Sequence, residues 1–352
     1  MEGLVFTWAA GLGLLDGPPG EALAAAEARN WARNQLLTAQ AVRLEKDAVA
    51  HGVEIRFIKG VALEGQFYGR PGERPTTDLD VLVGRGDPAA IARWVIGLQP
   101  RHMWVSRLET LVAGGHIQAI DLVVDGVQVD LHFDPLKLEI VAARAGDDLL
   151  RRVHPIDVGM GPITTLDPEA SLVLALLHLN KDRFRRMIGF ADVRRMLERV
   201  QDWDWFLAYS RREGITTPLL SSLAVVVSTL GIPPPAQLAS YSPAKLWQVV
   251  WPEDTRLLGQ EGVVRYRYRQ MLIPFFAPDR WSEALVGLAR RVFPPRPLLD
   301  AFFPDTRGGY LTTLLVGRAG RRRQRARQRG AAENEARSDD PTTGVNDKGS
   351  TW

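Results

Sequence analysis

The chain of 352 residues contains no cysteine. This excludes disulfides and thiolate metal sites, and it fits a reducing compartment such as the cytoplasm. A long apolar run is also missing. The longest, residues 218–230, covers 13 positions and is interrupted by Ser221, Ser222 and Ser228. A helix across a bilayer needs about 20 apolar residues, so this segment reads as a buried helix and no stable membrane insertion is expected. The first residues, MEGLVFTWAAGLGLLDGPPGEA, lack a basic n-region and carry Glu2 and Asp16, a pattern unlike a signal peptide. No internal repeat is present.

Acidic residues are absent from residues 318–329, RAGRRRQRARQR, which hold seven arginines. Removing that segment takes the net charge from +3 to −4, so the pI of 9.3 reports the tail and the body is mildly acidic. A basic, nucleic-acid-binding body is therefore not indicated. The Arg-rich tail alone is the candidate contact for an anionic partner. The whole chain, 45% hydrophobic and 24% charged, has the composition of a globular protein.

Residues 21–50 read as one long helix rich in Ala, Leu, Arg and Gln, with Ala25, Ala28, Leu36, Ala39 and Val42 among its apolar positions and His51-Gly52 closing it. Residues 53–58 form a predicted strand and 60–67 a helix, broken by Gly69-Arg70-Pro71-Gly72. A second strand spans 78–83, and a helix at 88–98 is capped by Asp87 with Pro88 in its first turn. Asp125-Gly126 between the runs 116–124 and 127–133 predicts a hairpin. These elements make a small mixed sheet with the first helix packed beside it. From Asp167-Pro168 the pattern turns helical, at 168–180, 189–199, 203–213, 217–230, 242–251, 259–274, 280–291 and 309–328, with Pro-rich breaks at 233–235 and 294–297. The expected organisation is an N-terminal segment 1–20, an α/β domain 21–160, a helical domain 161–329 and a tail 330–352, whose lack of apolar periodicity predicts disorder.

The chemistry concentrates in IKGVALEGQFYGRPGERPTTDLDVLV. In a strand alternate side chains share a face, so Asp78 and Asp80 point one way while Leu79 and Val81 point the other. Two carboxylates so placed repel one another unless a cation lies between them, and an oxygen-only dianionic site suits Mg²⁺ or Mn²⁺. The later stretch VQVDLHFDP supplies a third acid, Asp130, with His132 and Asp134 on its own face. If the two strands are neighbours, Asp130 completes a three-carboxylate cluster suited to a metal-assisted phosphoryl displacement, or serves as base for the attacking group. D-x-D alone equally describes the solvated face of an edge strand; the second acidic strand and the upstream Lys-Gly favour the metal site. Lys59 is a point charge for a phosphate at a strand-to-helix junction, and Gly60 lets the backbone come close to a ligand. Taken alone, that pair also reads as a glycine turn with a solvent lysine. Arg70 and Arg74, before Asp78, read either as surface charges or as phosphate contacts. His132 reads as a packing or supporting residue more than as a ligand.

Ile58-Lys59-Gly60, Tyr68, Arg74, the run Asp78-Leu79-Asp80-Val81-Leu82-Val83 and Val129-Asp130-Leu131-His132 resemble the uncharacterised nucleotidyltransferase family of the DNA polymerase-beta superfamily, with its L-K-G, R-x₃-D-[IL]-D-x-L-V and [DE]-L-H motifs. The resemblance continues through His178 and Asp192, Trp203 and Trp205, and the segments FPPRPLL and GGYLTTLL, roughly residues 20 to 320. It implies an α+β fold, with a small mixed-sheet polymerase-beta-like core followed by a mostly helical domain. It also implies a divalent metal, Mg²⁺ or Mn²⁺, a nucleoside triphosphate such as ATP as donor, and a helical acceptor side. Carried over to this chain, Asp78 and Asp80 are the metal pair and Asp130 the third carboxylate. Lys59 and Gly60 stand in place of the superfamily's usual Gly-Ser phosphate turn, and Arg74 joins them in nucleotide binding. His132, His178 and Asp192 are supporting or acceptor-side residues, and Asp182 stands where a second histidine is common.

Two other readings stay open at the level of sequence. One is a nucleotide-sugar-dependent glycosyltransferase using the D-x-D, which has no need of Asp130. The other is a non-catalytic nucleotide- or nucleic-acid-binding protein using the Arg-rich tail. The acceptor of a transfer reaction is not identified by the sequence and ranges over small molecule, peptide, protein and RNA.

Overall fold

The computed structural model describes residues 18–84, 86–100, 107–133, 145–182, 184–238 and 293–302, with isolated positions between 285 and 313. The expectations for residues 1–17, Asp134, the Arg-rich segment and the tail from 330 lie outside the described residues. So do, wholly or nearly so, the predicted helices 242–251, 259–274, 280–291 and 309–328. The chain divides into two compact units, residues 1–292 and 293–352.

The first unit opens with α1, Pro18–Ala50, followed by β1, Ile55–Phe57, and α2, Val61–Phe67. β2, Leu79–Val83, leads to α3, Pro88–Gly97, and α4, Leu108–Ala113. The hairpin β3, Ala119–Val124, and β4, Val127–His132, precedes α5, Ala145–Arg151, and a second hairpin, β5, Val153–Asp157, and β6, Pro162–Leu166. Four helices complete it: α6, Pro168–Lys181; α7, Met187–Leu197; α8, Trp203–Arg212; and α9, Thr216–Leu230. In the second unit α10, Arg296–Phe302, forms where the prolines were expected only to break the chain. Pro297 falls in its first turn, where proline's missing N–H costs no helical hydrogen bond.

The mixed α/β architecture is built on a six-stranded sheet in the order β3-β4-β2-β1-β6-β5. The pairs β4–β2 and β1–β6 are parallel and the rest antiparallel. The Asp125-Gly126 hairpin forms as its sequence predicts, with both residues at positive φ. Asp87 and Asp167 cap α3 and α6 through the N–H groups of Ala89 and Ala170. The β5–β6 hairpin carries no clear signal in the sequence. β5 is almost wholly exposed and contains Pro155, as suits an edge strand, so it has no alternating pattern to read.

β2 is buried along its whole length, so both faces of the sheet centre are covered. Leu82 joins Leu63 and Phe67 of α2 in one apolar cluster with α6, α7, α8 and α9. The helical part of the unit therefore packs on the face that Leu82, and hence Asp80, shares. α9 contains the longest apolar run and sits in that cluster, and among the described residues no helix is long and apolar enough to cross a membrane.

α1 packs against β1, β6 and α2. Its buried stripe is Ala26, Asn30, Asn34, Leu37, Ala41, Leu44 and Ala48, stepping by three and four, while Leu36 is 69% exposed. Asparagine in that stripe has a specific partner. Asn34 Nδ2 donates to Glu64 Oε1 and to the Arg74 carbonyl, each at 2.8 Å. The same Glu64 oxygen accepts from the backbone N–H of Gly72 at 2.8 Å and of Arg74 at 3.3 Å. One buried carboxylate thus ties α1, α2 and the loop before β2 together. Glu64→Ala is expected to orphan these donors at roughly 1–3 kcal/mol for each one left unsatisfied. A lowered urea midpoint with an unchanged slope checks this.

Candidate functional site

The parallel pairing of β2 with β4 sets Asp80 opposite Asp130 and Leu82 opposite His132. Period-two alternation then puts Asp80, Asp130 and His132 on one face, toward the helices. Asp80 is buried, and its Oδ1 accepts from Lys59 Nζ at 2.7 Å and from His132 Nε2 at 2.9 Å. His132 Nε2 is also 3.2 Å from Asp130 Oδ2. Burial opposes charge on Asp80, but the His132 hydrogen bond and the Lys59 ammonium outweigh it and hold the carboxyl well below the usual carboxylate range.

Asp80, Asp130 and His132 offer ligand atoms that all lie within 4.8 Å of one another. Two carboxylate oxygens and an imidazole nitrogen form a donor set that suits a divalent ion, and the residues present fit one. The grouping differs from the Asp78, Asp80, Asp130 trio expected from the sequence. Asp78 lies just before β2, half-buried, with the Thr77 hydroxyl donating to its Oδ1 at 3.0 Å, and it is outside the converging group. His132, expected in a supporting place, stands inside it.

A cavity of about 170 Å³ opens beside these side chains. Lys59, Gly60, Asp78 and Asp80 line it from the sheet side, and His178, Asp182 and Arg186 from the helical side. The His178 ring centroid on α6 lies 6.5 Å from that of His132. Burial, followed by the Lys59 charge, depresses the His178 pKa well below its ordinary value, which keeps that imidazole neutral.

Gly60 is required on two grounds. Its φ is +54°, and a Cβ there would lie 2.6 Å from Thr76 Cγ2 and 3.2 Å from the Asp78 carbonyl oxygen. Gly60→Ala is expected to cost about 1–3 kcal/mol through backbone strain and to push residues 76–78 out of place. A lowered melting temperature, together with a weakened response to added Mn²⁺, is the check.

Arg74 and Asp192 meet in a buried bidentate pair, Nε to Oδ1 at 2.9 Å and Nη2 to Oδ2 at 2.8 Å. The Tyr68 hydroxyl donates to the same Oδ1 at 2.5 Å. Burial and then the Asp192 charge push the Tyr68 phenol far up, so it remains a donor. Arg195 covers the Tyr68 ring at 4.5 Å and pairs with Glu73. The sequence suggested separate places for Arg74, on the nucleotide, and Asp192, on the acceptor side. The structure brings them together as a clasp between the loop before β2 and α7, on the wall of the cavity. Asn34 and Glu64, which anchor that loop, carried no signal in the sequence, because a buried polar residue on a helix reads like a solvated one until its partner is placed.

Residues 1–231 match the family described as uncharacterised nucleotidyltransferase. The chain belongs to that family. Every side chain placed at the candidate site falls within the match, which ends at Gly231, the left-handed cap of α9. The resemblance in sequence had been expected to run to about residue 320, so FPPRPLL and GGYLTTLL stand outside the matched stretch. Among curated proteins none matches the chain. Among solved structures it is similar to the crystal structure of an antigenic nucleotidyltransferase-like protein from Paracoccidioides brasiliensis. The identity is 15% over 59% of this chain and 91% of that one, with a TM-score of 0.36, too distant a likeness to carry an argument.

Proposed function

We propose that this nucleotidyltransferase transfers a nucleoside monophosphate from a nucleoside triphosphate to an acceptor hydroxyl or amine. The observation that carries this reading is the in-register pair Asp80 and Asp130, with His132 beside it, of which Asp80 lines a cavity together with Lys59 and Gly60. The acceptor oxygen or nitrogen attacks the α-phosphorus, the bond from that phosphorus to the pyrophosphate oxygen breaks, and the acceptor proton passes to a carboxylate. Asp130, with its side chain 20% exposed, is placed to take it. Asp80 and Asp130, with His132 adjoining and Asp78 as a further carboxylate on the cavity lining, would hold a Mg²⁺ or Mn²⁺ ion that would supply charge neutralisation on the triphosphate. Lys59 and the bare backbone at Gly60 meet the phosphates. Arg74 acts chiefly through the loop it anchors to Asp192. His178 and Asp182 face the acceptor, and the Arg-rich tail is the place for an anionic partner. ATP is among the donors to be tried, and a cytoplasmic setting suits both donor and metal.

Incubating the chain with each of the four ribonucleoside triphosphates and Mg²⁺ or Mn²⁺, then weighing the protein and the small molecules of a cell extract by mass spectrometry, tests this reading. The expected result is a mass increment of one nucleotidyl group on the protein or on an extract component, with pyrophosphate released. No increment and no pyrophosphate with any of the four would overturn it.

A further inference from the structure

One carboxylate oxygen at the centre of the site is shared between two donors. Asp80 Oδ1 accepts from Lys59 Nζ at 2.7 Å and from His132 Nε2 at 2.9 Å, which occupies both of its lone pairs. A divalent cation approaching Asp80 and Asp130 therefore meets an ammonium already in contact with an oxygen of Asp80. Two cations on one oxygen repel strongly at this burial, where solvent screening is weak. His132 is fixed in the sheet, whereas Lys59 follows the end of β1 on a flexible four-carbon stem with a side chain 31% exposed, and it lines the cavity. Lys59 is thus the donor able to leave. The anionic groups that would draw it into the cavity are the phosphates of a nucleotide.

We propose that Lys59 is a movable counter-charge that makes cation binding at Asp80 depend on nucleotide. On the free protein its ammonium competes with the cation for Asp80 Oδ1. When a triphosphate binds, Lys59 passes to the phosphates and releases that oxygen, so that metal and nucleotide load together. This inference rests on the nucleotidyltransferase reading for the identity of the nucleotide, but the competition itself is readable without it.

Arg186 provides the control. It lines the same cavity and carries the same charge, but it pairs with Asp182, at 3.9 Å. Mn²⁺ affinity of the full chain is measured by electron paramagnetic resonance titration, with no nucleotide present, for wild type, Lys59→Met, Lys59→Gln and Arg186→Gln. Both Lys59 variants are expected to bind Mn²⁺ at least about fivefold more tightly than wild type, while Arg186→Gln stays within about twofold, the range expected of a cation that does not touch the ligand atom. The Lys59 variants should also lose affinity for a triphosphate bearing a non-cleavable α,β-methylene bridge. Lys59 variants that bind Mn²⁺ no more tightly than wild type, or an equal gain in Arg186→Gln, would overturn the proposal. A gain in Mn²⁺ affinity with no nucleotide bound by any form would uphold the competition and instead count against the nucleotidyl-transfer reading.

Discussion

Arg74→Met is expected to destabilise the fold by about 3–5 kcal/mol, the cost typical of breaking a buried ion pair by removing one partner. Asp192 is only 5% exposed and would be left buried without its counter-charge, with the Tyr68 hydroxyl as its remaining donor among the contacts described. Asp192→Asn should act in the same direction, because the guanidinium then lies buried without its counter-charge. The double variant Arg74→Met/Asp192→Leu should recover a large part of the loss, since apolar side chains carry no desolvation penalty. Urea unfolding of the four forms gives the coupling directly. A double variant no more stable than the worse single one would show that the clasp acts through backbone placement and not through its charges. A change at the clasp also reaches the site. Arg74 lies four residues before Asp78, and its backbone is held by Asn34 and Glu64.

Asp80→Asn is expected to lower nucleotidyl transfer by about a thousandfold or more, the scale seen when a group that stabilises transition-state charge is removed. The substitution keeps the side-chain volume and leaves the backbone pairing of β2 with β4 in place, so the far-ultraviolet circular dichroism should be unchanged. What is lost is the anion that Lys59 and His132 hold ionised. Asp78→Asn should be the milder change, because Asp78 lies outside the group of converging ligand atoms. Single-turnover transfer measured for both variants checks the order. Equal losses would place Asp78 in the working site on the same footing as Asp80.

Much of this arrangement could be read before the fold was seen, for identifiable reasons. Asp87, Asp125-Gly126 and Asp167-Pro168 are local signals, each decided within four residues, and each does what its chemistry dictates. The adjacency of Asp80 and Asp130 follows from β2 and β4 being parallel neighbours, which the sequence suggests through two acidic strands but cannot set in register. The place of His132 depends on that register. With Leu82 opposite it, its imidazole reaches back to Asp80, an outcome no spacing within VQVDLHF prescribes. The Arg74–Asp192 pair spans 118 positions, and Asn34–Glu64 spans 30 between two helices. Such contacts are fixed by packing, so a charge destined for burial looks in sequence like one destined for solvent. The β5–β6 hairpin escaped for the opposite reason, since its exposed outer strand needs no apolar alternation.

Transfer of label from a triphosphate carrying it at the α-phosphorus is the most direct measurement, made with Mn²⁺ on wild type, Asp80→Asn and Asp130→Asn in the presence of cell extract. The expected result is label on an acceptor and free pyrophosphate with wild type, and neither with the two variants. Labelling by Asp80→Asn or Asp130→Asn at the wild-type rate would contradict the assignment of this carboxylate pair as the site of nucleotidyl transfer.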